Sequence, residues 1–276
     1  MPAAIDDPTL RSRPREALTR LPGREPFPLR ARAGWPRAET PPALGAREVH
    51  AWLIDLDRPQ AGDRLETAGL SADERARAAR FHFERDRTRF LHGRAALRHL
   101  LAGYAGLEAR ALIFAPGAHG KPGLLGTGLE FNLSHSGGCA VLAVTRGRRV
   151  GVDVERIQAE RATSSLARRF FAPAEAAAVA TAAPADRART FFRCWTRKEA
   201  YVKARGEGLS LPLDSFEVPL EPDATRALTF ARDDPAEIGR WSLRELEPAA
   251  DHLGALVVEG EGWTLLLRTW ENGAIS

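Results

Sequence analysis

Two apolar runs flank a glycine near the middle of the chain: Cys139-Ala-Val-Leu-Ala-Val144 and Val150-Gly-Val-Asp-Val-Glu155, with Gly147 between them. Short runs of this kind bounded by turn residues are strands, and a spacer this short predicts that they pair as a hairpin. In the second run the valines alternate with Gly151, Asp153 and Glu155. Side chains two apart share one face of a strand. Val150, Val152 and Val154 therefore face a core, and the two carboxylates share the opposite face.

Elements of both kinds surround this pair. Glu48 to Leu56 reads as a first strand. Ser71-Ala-Asp-Glu74 has a capping-box pattern and opens a helical region that continues with interruptions to about Tyr104. Residues 162 to 205 are mostly helical, broken near Pro173 and Pro184. Strands follow at Ala227–Phe230, Trp241–Leu246, Leu253–Val258 and Trp263–Trp270. Residues 1–45 carry many prolines and arginines without a period, and predict an irregular extension. The order is strand, helices, strand pair, helices, strands. It predicts an α+β fold of two similar halves, residues 46–148 and 149–276, although no sequence repeat is visible.

Composition narrows the class. The apolar and charged fractions of 44% and 28% are those of a soluble globular protein. No run of 18 apolar residues predicts a membrane span. Two distant cysteines, Cys139 and Cys194, make neither a disulfide framework nor a zinc pattern and fit thiols in a reducing cytoplasm. The net charge of +4 favours anionic partners. Only Lys121, Lys198 and Lys203 are lysines; arginine supplies every other cation of these two types. A lysine is a mobile point charge where an arginine is a rigid fork, so these three positions are candidates for a specific use.

Three constellations carry chemistry. Asp153 and Glu155 on one strand face are hard oxygen ligands, suited to Mg²⁺ completed by phosphates and water; an exposed polar strand face is the plainer alternative. Phe191-Phe-Arg-Cys-Trp-Thr-Arg-Lys-Glu-Ala-Tyr-Val-Lys203 forms a helix on which Phe191, Phe192, Trp195 and Val202 share a side with Glu199. Lys203 lies beside Glu199, Lys198 borders the apolar stripe, and Arg193, Arg197 and Tyr201 face away. An acid on a core face needs a cation or a partner, whereas a surface pair between Glu199 and Lys203 would be worth only tenths of a kcal/mol. Asn132-Leu-Ser-His-Ser136 before Gly137 and Gly138 offers hydroxyl, imidazole and backbone donors to an anion such as phosphate. Serine-hydrolase elbows, Walker A loops and dinucleotide fingerprints are absent from the sequence.

Five segments in order resemble the Sfp-type 4′-phosphopantetheinyl transferases: Gly120-Lys-Pro122, Phe131-Asn-Leu-Ser-His-Ser136, Gly151-Val-Asp-Val-Glu155, Trp195-Thr-Arg-Lys-Glu-Ala-Tyr-Val-Lys203 and Gly208-Leu-Ser-Leu-Pro-Leu-Asp-Ser-Phe216. The resemblance spans roughly residues 48 to 260. It implies transfer of the phosphopantetheine arm of coenzyme A to a serine of an acidic acyl or peptidyl carrier protein, in fatty-acid, polyketide or peptide synthesis. It further implies a cytoplasmic, pseudo-twofold monomer with its site between two α/β subdomains, and neither a membrane nor a nucleic-acid partner. By the same resemblance Asp153, Glu155 and Glu199 hold Mg²⁺ (or Mn²⁺), and Glu199 is the base for the carrier serine. Lys203 contacts the pyrophosphate, while Lys121, Ser134 and His135 meet the 3′-phosphate or adenosine end. Arg77 and Arg89 stand where relatives often carry lysines, and Glu74 stands where a cation is expected. Lys198 occupies a motif position to which the resemblance attaches no role. Two other readings of the residues exist. One is a metal-dependent nuclease, which lacks interleaved stacking aromatics; the other is an inactive coenzyme A or carrier-binding module, against which Asp153, Glu155, Glu199 and Lys203 all speak.

Overall fold

The computed structural model describes residues 34–57, 69–117 and 120–271. The first half contains β1 (Arg37–Ala38), β2 (Glu48–Asp55), α1 (Ala72–Ala78), α2 (Glu84–Ala105), β3 (Phe114–Pro116), β4 (Pro122–Leu124), β5 (Leu129–Ser136) and β6 (Cys139–Arg146). The second contains β7 (Val150–Arg156), α3 (Ser164–Phe170), α4 (Pro173–Thr181), α5 (Arg187–Arg205), β8 (Phe216–Glu217), β9 (Phe230–Ala231), β10 (Trp241–Leu246), β11 (His252–Glu259) and β12 (Thr264–Trp270). The fold is mixed α and β. At the start of α1 the predicted capping box is formed: Ser71 Oγ accepts the Glu74 N–H, and Glu74 Oε2 accepts the Ser71 N–H.

The expected hairpin of β6 with β7 is not formed. A strand has two hydrogen-bonding edges, and those of β6 are taken by β2 and β5 in a sheet ordered β1-β12-β2-β6-β5. The hairpin partner of β6 is β5. Ser136 pairs with Cys139 across the turn Gly137–Gly138, where Gly137 adopts a φ of 58°. A glycine at the first central position fits the II′ connection that matches strand twist. β7 turns instead into a second sheet, ordered β10-β11-β7.

Period-two alternation then divides the side chains among layers. On β2 and β6, Trp52, Ile54, Ala140, Leu142 and Val144 join Leu97, Leu100 and Leu101 of α2 in one core. The intervening Val49, Ala51, Leu53, Val141 and Ala143 face the other way. There they meet Val150, Val152 and Val154 of β7 and Leu256 and Val258 of β11. The far face of the second sheet buries Leu243, Leu253, Ala255 and Val257 against Phe191, Phe192, Trp195 and Tyr201 of α5. The layers therefore run α2, five-stranded sheet, three-stranded sheet, α5, and the predicted valine face of β7 packs sheet on sheet.

Two expectations need correction, and one strand pairing crosses the expected division. Residues 1–33 of the predicted extension lie outside the described residues, but residues 34–45 are not simply irregular. Trp35 is buried, and Arg37–Ala38 pair in parallel with Thr269–Trp270 of β12. Strand pairing departs from the expected division at residues 148 and 149, because β12, from the end of the chain, pairs in parallel with β2 in the first sheet. The strand expected at Ala227–Phe230 is displaced to Phe230–Ala231; Ala227 and Leu228 are buried without ladder pairing.

Candidate active site

Helix α5 lies directly on β7 because Gly151 has no side chain. A Cβ there would stand 2.1 Å from the Ala200 carbonyl oxygen and 2.3 Å from the Ala204 nitrogen. This close approach brings Glu199 and Lys203 of α5 to the carboxylate face of β7. The packing of strand against helix that the sequence requires is present.

Lys203 donates from Nζ to Asp153 Oδ1 at 2.5 Å, to Val152 O at 3.0 Å and to Ser134 Oγ at 3.1 Å. It thus forms an ion pair with a carboxylate of β7. Asp153 is fully buried, Glu155 nearly so, and Glu199 is half-buried. Among the described residues, no three Asp, Glu, His or Cys side chains gather in a group able to hold a metal ion. Asp153 and Glu155 stand on β7 and Glu199 on α5.

The inner face of β5 meets the open edge of β7 without sharing a backbone ladder. Asn132 Oδ1 accepts the Val152 N–H at 2.8 Å, Ser134 Oγ the Val154 N–H at 3.2 Å, and Ser136 Oγ the Arg156 N–H at 3.1 Å. The same two hydroxyls donate onward, Ser134 to Asp153 Oδ1 at 2.9 Å and Ser136 to Glu155 Oε2 at 2.6 Å. Lysines serve carbonyls along the same edge: Lys121 donates to Val150 O at 2.8 Å, as Lys203 does to Val152 O. Burial pushes the Lys121 ammonium below its ordinary pKa, and nearby Arg149 acts in the same direction. An unpaired strand edge must satisfy its polar groups, and here side chains do so.

The anion-binding residues expected from the sequence are placed less uniformly. Ser134 and His135 point to opposite faces of β5; Ser134 is fully buried with the partners above, and His135 is exposed. The Ser134 hydroxyl is enclosed by Asp153, Lys203 and the Val154 N–H. Arg89 makes a two-pronged pair with Asp57, Nε to Oδ1 at 2.6 Å and Nη2 to Oδ2 at 2.7 Å. Arg77 is exposed, its guanidinium 5.3 Å above the Phe90 ring. Glu74, where a cation was expected, is buried between Arg94 and Arg98. These pairs, with the Ser71 cap, hold its carboxyl below the ordinary range despite burial, the largest single influence, which raises it.

Lys198 has a structural position. It is fully buried and donates to Leu213 O at 2.7 Å, Phe216 O at 2.6 Å and Glu175 Oε2 at 2.7 Å. Burial pushes Glu175 above the usual carboxylate range, with Lys198 opposing the shift. The expectation that Arg197 and Tyr201 face away from the core is also wrong: both are buried, Arg197 on Glu245 and Tyr201 on Glu237. Their partners lie far along the chain, so the helical wheel gave no warning of them.

Comparison with known proteins bears on this arrangement. Residues 149–257 match the 4′-phosphopantetheinyl transferase superfamily, and residues 60–147 match the N-terminal region of 4′-phosphopantetheinyl transferases. The chain is 42% identical over 221 residues to the 4′-phosphopantetheinyl transferase HetI of a Nostoc species, covering 78% of this chain and 90% of that protein. It is a 4′-phosphopantetheinyl transferase of the Sfp type. The transferase Sfp of Bacillus subtilis is 30% identical over 173 residues, covering 62% of this chain and 76% of that protein. A second Bacillus subtilis transferase is 37% identical over 174 residues.

Sequence reasoning about this transferase included Asn132 and Ser136 in an anion-binding stretch but did not foresee that they close the edge of β7. The signal was present: three polar residues at a spacing of two on a strand whose other face is apolar. Only their partner strand could not be read.

Proposed function

We propose that the seam of β5, β7 and α5 is where this transferase moves the phosphopantetheine arm of coenzyme A onto a carrier-protein serine. The observation that carries the reading is the Lys203 ammonium on Asp153, which joins two elements forced together at Gly151, the strand that also carries Glu155 and the helix that also carries Glu199. Breaking the pyrophosphate requires positive charge on its oxygens and a base for the attacking hydroxyl. In this reading Glu199, half-buried on α5, takes the serine proton. Lys203 turns from Asp153 to the pyrophosphate and steadies the leaving 3′,5′-ADP.

The donor set fits Mg²⁺. Asp153 and Glu155 are hard oxygen ligands on one strand face, and Mg²⁺ takes one or two carboxylates with substrate phosphates and water. Glu199 would join them, and the ion would supply charge neutralisation at the phosphates. Lys121, exposed His135, Arg77 and Arg89 are the groups we assign to the 3′-phosphate end. Arg89 would have to share its fork with Asp57.

We also infer a pseudo-twofold monomer, since each half lays a long helix, α2 or α5, on its own sheet, with the division near residue 148. No described helix is long and apolar enough to cross a membrane. Both thiols are buried and their pKa values are raised by burial, which supports the reading of a reducing, cytoplasmic setting. The net charge of +4 favours an acidic carrier through steering. Incubation with coenzyme A, Mg²⁺ and an apo carrier protein, followed by intact mass, tests the proposal. The carrier gains one phosphopantetheine, and EDTA abolishes the gain; no gain with acyl and peptidyl carriers alike would sink it.

A further inference from the structure

The side chains of β5 and β7 match register by register. Asn132 serves the Val152 N–H beside Gly151, which has no side chain. Ser134 serves the Val154 N–H beside Asp153, and Ser136 the Arg156 N–H beside Glu155. Hydroxyls therefore stand at the two registers that carry a carboxylate, and asparagine stands where β7 has glycine. As an acceptor, asparagine could close every rung of this edge. A serine closes the rung and gives its proton from the same oxygen, so the backbone N–H and the carboxylate are tied through one atom. At 136 that proton goes to Glu155 Oε2 at 2.6 Å, the length of a charge-assisted bond between hydroxyl and carboxylate.

We propose that Ser136 is a positioning residue for the transferase reaction, holding Glu155 in the orientation in which it receives a divalent cation. The inference rests on the assignment of Asp153 and Glu155 as the cation-binding carboxylates. Ser136 is itself held on both sides. Its oxygen is fixed by the Arg156 N–H at 3.1 Å, and its strand is fixed by the Ser136–Cys139 pairing that closes the glycine turn. The Glu155 side chain thus has a partner that cannot follow it if it turns away. Glu155 is nearly fully buried, so water does not compete freely for the carboxylate oxygen that Ser136 holds. Hydrogen-bond partners of this kind orient metal ligands, and removing them typically weakens metal binding about 10–100-fold.

The test measures Mn²⁺ binding to the whole chain by electron paramagnetic resonance, without coenzyme A or carrier. Ser136→Ala should bind Mn²⁺ about 10–100-fold more weakly, and Ser136→Thr, which keeps the hydroxyl, should restore wild-type affinity. In transfer assays Ser136→Ala should raise the KM for Mg²⁺ and leave the KM for coenzyme A unchanged. Because Ser136→Ala also removes a rung of the edge and can impair folding, Ser136→Cys serves as a second variant. Its weak S–H donor keeps the shape, and its affinity should fall between those of Ala and wild type. In a Glu155→Gln background, Ser136→Ala should cause no further loss of affinity, whereas a merely structural role would add one. Wild-type Mn²⁺ affinity in Ser136→Ala or Ser136→Cys overturns the positioning role while leaving the transferase reading intact. A wild-type chain that transfers phosphopantetheine yet binds no Mn²⁺ overturns the carboxylate assignment itself. One that neither transfers nor binds overturns both.

Discussion

All three lysines of the chain spend a proton on a backbone carbonyl: Lys121 on Val150, Lys203 on Val152, and Lys198 on Leu213 and Phe216. Three donors on a rotatable ammonium can diverge to three acceptors, which a planar guanidinium cannot do from one point. Lysine scarcity thus picked out positions with a geometric demand, and at 198 that demand concerns the fold. Lys198 ties α5 to Glu175 of α4, to the turn before β8 and to the first residue of β8. Removing one partner of a buried pair leaves the other charge uncompensated, at a cost of about 3–5 kcal/mol. Lys198→Met should lower the unfolding free energy by roughly that amount in urea titration, and a loss below about 1 kcal/mol would show that the pair is not needed. The carboxylate face of β7 was legible from alternation alone. The roles of Lys198, Arg197 and Tyr201 were not, because Glu175, Glu245 and Glu237 reach them only through tertiary packing.

Elements were read well where their signal is local. β2, β10 and β11 fall within a residue or so of the expected strands, and the breaks at Pro173 and Pro184 separate α3, α4 and α5. The choice of partner strand is non-local, so the Gly147 turn misled where Gly137 and Gly138 carried the hairpin. The contact of α5 with β7 depends on one missing side chain. Gly151→Ala puts a methyl into the helix backbone, which cannot move aside as a flexible side chain would. A destabilisation of about 1–3 kcal/mol is expected, with loss of transfer that exceeds the loss of folded protein, since Glu199 and Lys203 ride on the displaced helix. Unchanged turnover in folded Gly151→Ala would show that the site tolerates this displacement. At the end of β11, Glu259 binds Arg149 and Arg240, and the hydrogen bonds from Arg149 contribute most to holding its pKa down at about 2. A carboxylate depressed from its ordinary 4.5 stabilises the fold above that pH and loses this contribution as pH falls toward about 2. Acid unfolding of Glu259→Gln should accordingly lack that part of the wild-type decline, and superimposable curves would remove Glu259 from the acid response.

Across the whole molecule, two sheets back to back place a long helix on each outer side, and β12 carries the end of the chain back to the first sheet. There it lies in parallel between β1 and β2, pairing Thr264 with Glu48 and Thr269 with Arg37. Ending the chain at Gly262 removes β12, strips β1 of its partner strand among the described residues and opens an edge of β2. The shortened chain should aggregate or unfold in size-exclusion chromatography and circular dichroism; a monomeric, folded product would show that β12 is dispensable. The same pairing sets a timetable for synthesis. β2 and β6 leave the ribosome long before β12, and at about 5–20 residues per second the wait is on the order of ten seconds. Throughout it, β2 offers an apolar, unpaired edge to neighbouring chains, the kind of edge that proteins otherwise keep covered. A nascent chain of this design depends on whatever shields that edge in the cell, and a permuted chain with β12 encoded ahead of β1 would have no such wait.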